Sequence, residues 1–163
     1  MLYNLGSYYE THFPGFVKLR TKALELLRQE SDLKELTQLI GYNSLAETDK
    51  MMLEVVKLLT EDFLHQNGLS SQDRCCPFYK TYGMLRNIVK FHELGSRLMK
   101  ETTVEKPITW DRIKQKMNKV MQRLSIMKYL CPVHDGEKII IKELNDLNKD
   151  IEIGYEEIYT ELY

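Results

Sequence analysis

The last stretch of the sequence constrains the fold more than any other. Ile140, Leu144, Leu147, Ile151, Tyr155, Ile158 and Leu162 follow one another at steps of four, three, four, four, three and four. That spacing gathers the apolar side chains on one face of a 3.6-residue helix, whereas a strand with its period of two would split them between both faces. A stripe with no break means that the helix packs along its whole length, against its own domain or against a partner. Ile139, Ile140 and Ile141 are the most β-like run in the chain. They sit inside this longer pattern and are assigned to the helix.

The rest of the chain reads the same way. A first helix is predicted from about Asn4 to His12, with Pro14 suited to the first turn of the next because its missing N–H has no partner there. The second helix carries Phe16, Leu19, Ala23, Leu26 and Leu27 on one face. A short third helix opens at Asp32, where Asp32 and Glu35 have capping-box spacing, and closes at Gly41. Ser44 and Glu47 repeat that spacing at the start of a fourth, which presents Met52, Leu53, Val56, Leu59 and Phe63 before Gly68. Leu69 to Phe78 reads as a loop holding Cys75 and Cys76. A fifth helix follows from about Tyr79 to Glu101. A sixth, capped by Thr109, turns Trp110, Ile113, Met117, Val120, Met121 and Leu124 inward. Cys131 to Gly136 is a turn. The prediction is one all-α domain over residues 1–163, an irregular bundle of about six or seven helices, long enough to bury a real core.

Charge and motif content exclude several functions. Lys and Arg total 23 against 24 Asp and Glu. The balance leaves no cation surplus for phosphate neutralisation, so nucleic acid is not a predicted partner. No apolar run approaches the roughly 20 residues of a membrane span, and Met1 to Glu10 lack the pattern of a signal peptide. Cys75, Cys76 and Cys131 form no regular framework and read as free thiols of a reducing compartment, which points to the cytosol. None of the glycines has the context of a P-loop, a dinucleotide fingerprint or a nucleophile elbow. Cys131 and His134 have ligand-like spacing and could be joined by Cys75, Cys76 and His65, but structural thiols and surface histidines are the plainer reading. Glu61 with Asp62 and Glu156 with Glu157 are neighbours that point apart on a helix, and so are solvated charges rather than an acid/base pair. The basic residues Arg112, Lys114, Lys116, Lys119, Arg123 and Lys128 crowd the sixth helix while acids dominate the last. A solvated face is the favoured reading, with electrostatic pairing between helices or with a partner as the alternative. No catalytic residue and no metal ligand is assigned.

More specific are the runs SLAETDK at Ser44–Lys50, DFLHQNG at Asp62–Gly68 and DRCCPFYKTYGMLRNIVKFHEL at Asp73–Leu94. With PGFVKLRTKALELL at Pro14–Leu27 and ITW at Ile108–Trp110, they are similar in order and spacing to the C-terminal region of the V-type ATPase catalytic A subunit family. The resemblance runs from about Tyr8 to Glu143 and fades over the last helix. It implies a helical domain without the family's β-barrel and P-loop domains. Such a chain is no enzyme by itself but part of an ATP-hydrolysing, proton-translocating assembly at the cytosolic face of acidified organelles. ATP and Mg belong to the complete assembly, and no cofactor to this chain alone. The implied partners are the nucleotide-binding domain, the central stalk and the B subunit. The family's CPFYKT segment, here Cys76 to Thr81, lies near the nucleotide pocket. The resemblance makes Cys76 a redox switch pairing with a P-loop cysteine, although Cys75 stands where an aromatic residue is common. A loop thiol near Arg74 and Lys80 at a helix N-terminus gains thiolate character, while packing as a small hydrophobe is the equal alternative. Phe78 and Tyr79 are candidates for an adenine-pocket wall, or else packing residues. The helix tips near Leu94 to Ile108 are candidate rotor contacts. The rival reading is a stand-alone helical protein, derived from the same family, that docks on the ATPase without taking part in turnover.

Overall fold

The computed structural model describes residues 2–74, 76–101 and 108–162. Cys75 and residues 102–107 of the candidate rotor-facing stretch thus lie outside the described residues. The helices are α1 (Leu2–His12), α2 (Phe16–Ile40), α3 (Glu47–Lys57), a short α4 (Ser71–Arg74), α5 (Phe78–Glu101), α6 (Trp110–Lys116), α7 (Asn118–Ile126) and α8 (Glu137–Leu162). A π-helical segment, Leu58–Leu64, continues α3, and tight 3₁₀ turns occupy Tyr42–Ser44 and Met127–Tyr129. The all-α prediction holds: no strand occurs among the described residues.

The central pair is α5 and α8, whose mutual contact is the most extensive in the fold. All seven residues of the final stripe are buried on α8. They share one core with Leu85, Ile88, Phe91 and Leu98 of α5. Close approach is possible because α5 carries Gly83 at the crossing, where a Cβ would stand 2.7 Å from Leu144 Cδ1. Polar groups fix the register of the two helices. Asn87 Nδ2 donates to the Leu144 carbonyl at 2.9 Å, Asn148 Nδ2 donates to Asn87 Oδ1 at 2.8 Å, and Lys90 Nζ donates to Asn148 Oδ1 at 3.0 Å. A buried amide costs stability unless its donors and acceptors are met, and Asn87, fully buried, has them met. Helices α2 and α3 pack on α5, while α6 and α7 pack along α8.

A single helical turn, α4, lies inside the stretch from Leu69 to Phe78 that reads as a loop, and four further features differ from the sequence prediction. Pro14 lies in the connection rather than in the first turn of α2, which starts at Phe16 after Gly15 takes φ +83°. The predicted second and third helices are one. No Gly or Pro interrupts residues 16–40, and Asp32 and Glu35 fall where interior N–H groups are already bonded to carbonyls one turn back, so there is nothing to cap. Leu33 carries the buried face through the predicted break. The Ser44–Glu47 capping box does not form: α3 begins after Ala46 without a side-chain cap. Glu47 reaches across the fold instead, accepting from the Trp110 N–H at 2.5 Å and from Lys50 Nζ at 2.7 Å. Burial pushes the Glu47 carboxyl up, but the bonds from Lys50 and Trp110 outweigh it and leave its pKa lowered. Finally, the sixth helix divides at Met117 into α6 and α7, although Thr109 caps it as predicted by accepting from the Arg112 N–H at 3.4 Å.

Three basic residues of α6 and α7 pair with α8 rather than being merely solvated, while Lys114 pairs with Asp111 on its own helix at 2.9 Å. Lys116 and Arg112 both reach Glu161, at 2.7 and 3.9 Å, and Arg123 bonds Asp150 and Glu143. Lys128 pairs instead with Asp62 of the π segment, at 2.7 Å.

Candidate functional site at the entrance of α5

The segment Cys76 to Thr81 is the join between Cys76–Pro77, which belong to no regular element, and the first turn of α5. Pro77 has no N–H to leave unpaired. Its carbonyl accepts from the N–H groups of Lys80 and Thr81 at 3.0 and 3.2 Å and so starts the helix. The Cys76 sulfur, half-buried, lies 3.4 Å from Thr81 Oγ1.

Lys80 is the unusual member of the segment. It is 1% exposed, and its ammonium donates to the carbonyls of Lys128 at 2.7 Å and Gln72 at 3.3 Å rather than pairing with a carboxylate. Burial holds its pKa below the ordinary lysine value, with Cys76, Asp73, Cys131 and Asp135 nearby working in the opposite direction. The side chain thereby joins three segments: α4, α5 itself and the 3₁₀ turn after α7. Cys131 lies just past that turn, its N–H donating to Asp135 Oδ2 at 2.6 Å and its thiol facing Ser71 at 3.8 Å. Among the described residues, no three His, Cys, Asp or Glu side chains gather as a metal would require.

Phe78 and Tyr79 point to different surroundings, as successive residues on a helix must. Tyr79 packs against the main core. Burial pushes its hydroxyl pKa up, as do Glu137 and Cys76 nearby. Phe78 is enclosed by aromatic side chains from the start of the chain. Tyr9 stacks on it at 4.6 Å between centroids with 22° between planes, while Phe13 and Phe16 meet it edge-on at 4.5 and 4.7 Å. These three rings escape a search for chemical motifs. Tyr9 comes from α1, Phe13 from the connection and Phe16 from the first residue of α2, so no single helical periodicity announces their meeting on Phe78.

A helical domain with this segment at its centre has a counterpart among known proteins. Residues 5–108 match the family described as the C-terminal domain of V and A type ATP synthase, and the chain belongs to that family. Among individual relatives it is similar to the V-type proton ATPase catalytic A subunit, isoform 2, of Drosophila melanogaster, with 49% identity over 152 residues, covering 93% of this chain and 25% of the relative. The V-type proton ATPase catalytic A subunits of Manduca sexta and Caenorhabditis briggsae are each 47% identical over the same length and coverage. The chain spans about a quarter of the length of these relatives and matches their C-terminal region. Only eleven residues are left unmatched, fewer than the 26 of α8, so the likeness reaches into the last helix rather than ending before it.

Proposed function

We propose that this chain serves as the helical C-terminal module of a V-type proton-transporting ATPase catalytic subunit, completing a nucleotide pocket built elsewhere and passing its motion to a central rotor. The observation that carries the reading is the 47–49% identity over 152 residues with the C-terminal region of catalytic A subunits. In this role the chain hydrolyses nothing alone. ATP and Mg belong to the assembly, and the partners are the nucleotide-binding domain, the central stalk and the B subunit, at the cytosolic face of acidified membranes. No helix among the described residues is long and apolar enough to cross a membrane, which agrees with a peripheral place.

Within the module, Phe78 stands as the wall for an adenine ring, with Tyr79 fixing the helix start beneath it by packing on the core. Cys76, a half-buried free thiol at that start, is the redox-sensitive position. Of the rotor-facing stretch, Gly95, Leu98 and Ile108 are buried, so the proposed role falls to the exposed Arg97, Lys100 and Glu101 at the end of α5.

The test is complementation. Supplied in trans to an assembly whose catalytic subunit lacks its own helical domain, the chain should co-purify with the nucleotide-binding and central-stalk subunits and restore ATP hydrolysis. A chain that binds the complex yet leaves it inactive favours the docking-only reading, and one that stays monomeric and inert sinks the module. In the restored assembly, Cys76→Ser should blunt inhibition by oxidant; inhibition that persists unchanged removes Cys76 from that role.

A further inference from the structure

We propose that α1 is a displaceable lid over Phe78, with Tyr9 occupying the place that a planar base would take on its ring. The proposal rests on the reading of Phe78 as a base-stacking wall. Tyr9 and Phe78 lie nearly parallel at 4.6 Å, the offset-stacked arrangement in which a purine would also meet a phenyl ring. That separation leaves no room for a third ring between them, so Tyr9 and a base compete for the same face. Phe13 and Phe16 meet Phe78 at steep angles, 60° and 70°, so neither takes the parallel place that Tyr9 holds.

The attachment of α1 suits a part that moves. A three-residue connection joins it to α2, with Gly15 at φ +83°, a conformation glycine adopts without strain. The joint itself is anchored, because the Tyr82 hydroxyl donates to the Pro14 carbonyl at 3.1 Å. Beyond the joint the hold is lighter. Both oxygens of the Glu10 carboxylate accept from amides at the start of α2, Gly15 N–H at 3.0 Å and Val17 N–H at 3.1 Å, a solvent-exposed latch. The outer side of α1, with Tyr8, Thr11 and His12, is exposed. Opening therefore breaks the Tyr9–Phe78 stack, the tilted contact of Tyr9 with Phe16 at 5.2 Å and one exposed carboxylate latch, while leaving the α5–α8 core untouched.

The experiment uses the whole 163-residue chain with adenosine as the probe, titrated by NMR, and amide hydrogen exchange to report whether α1 is docked. Tyr9→Ala should bind adenosine about fivefold more tightly than the unaltered chain, from the loss of one competing aromatic pair. Exchange of the α1 amides should quicken in the same variant. Tyr9→Phe, which keeps the stack, should behave as the unaltered chain, and adding Phe78→Leu to Tyr9→Ala should abolish the gain. Equal affinity in the unaltered chain and Tyr9→Ala, still lost with Phe78→Leu, overturns the lid and leaves the wall standing. No adenosine binding by Tyr9→Ala, when exchange shows α1 released, overturns the wall and the lid with it.

Discussion

His92 lies on the α5 side of a groove shared with α2, facing Lys18, Lys22 and Glu25 across it and Glu93, Ser96, Arg97 and Lys100 along its own helix. Its Nε2 is 3.3 Å from the Ser96 hydroxyl. Burial, with Lys22 and Lys100 alongside, pushes its pKa down to about 4. A histidine at 6.5 when unfolded therefore takes up its proton more readily in the unfolded chain than in the folded one. The stability it confers is complete above pH 6.5 and is lost as the pH falls from 6.5 toward 4, by about 1 kcal/mol at pH 5.5 and on the order of 3 kcal/mol in full. Urea unfolding at a series of pH values should show this slope, and His92→Gln should flatten it. A slope that survives the substitution assigns it to other groups. The contrast with Lys80 is instructive. Both side chains carry a pKa lowered first of all by burial, yet Lys80 has its hydrogens met by two carbonyls and so serves as a structural donor.

At the scale of elements, the cross-links from α6 and α7 to α8 are half-exposed ion pairs, each worth about 0.2–1 kcal/mol. Arg123 joins two of them, to Asp150 and Glu143. Arg123→Ala should cost about 1 kcal/mol in low salt and much less in 1 M NaCl, where the screening length falls to about 3 Å; chemical denaturation by urea at both salt levels checks it. A salt-independent loss would mean that the arginine acts through its packed stem. The elements were legible in the sequence where one helix face decides the outcome. The stripe on α8 is such a case, because its seven residues all face α5 and its neighbours. Legibility failed where a local signal had a distant competitor. Glu47 has capping-box spacing to Ser44, but Trp110, sixty-three positions away, takes its carboxylate. Asp32 and Glu35 mimic a helix start inside a helix that Leu33 keeps buried. The bend at Met117 has no Gly or Pro to announce it. At the candidate site, the CPFYKT run was visible as a motif, while the carbonyl partners of Lys80 and the rings around Phe78 come from elsewhere in the chain and needed the fold to bring them in.

For the whole molecule, the family match ends at residue 108, yet the folding unit does not. Helix α8 supplies seven buried apolar side chains to the core that α5 anchors. At roughly 1.5–3 kcal/mol for each, about 10–21 kcal/mol together, their removal withdraws an amount comparable to or larger than the 5–15 kcal/mol by which a domain is ordinarily stable. A chain cut after residue 108 should therefore lose its cooperative thermal transition by circular dichroism, whereas the full chain should melt in one step. A cooperative melt in the truncated chain would falsify this boundary. Lys80 adds a mechanical consequence. By holding the carbonyls of Gln72 and Lys128, it pins the root of the α5–α8 pair to α4 and to the 3₁₀ turn after α7. With its register locked by Asn87 and Asn148, that pair behaves as one stiff beam, and α8 with its 26 residues is about 39 Å long. A tilt of about 5° at the pinned end would sweep the far end through about 3 Å, the width of a water molecule. A disturbance too small to unmake one hydrogen bond at Lys80 thus arrives at Leu162 as a displacement that a neighbouring surface would feel.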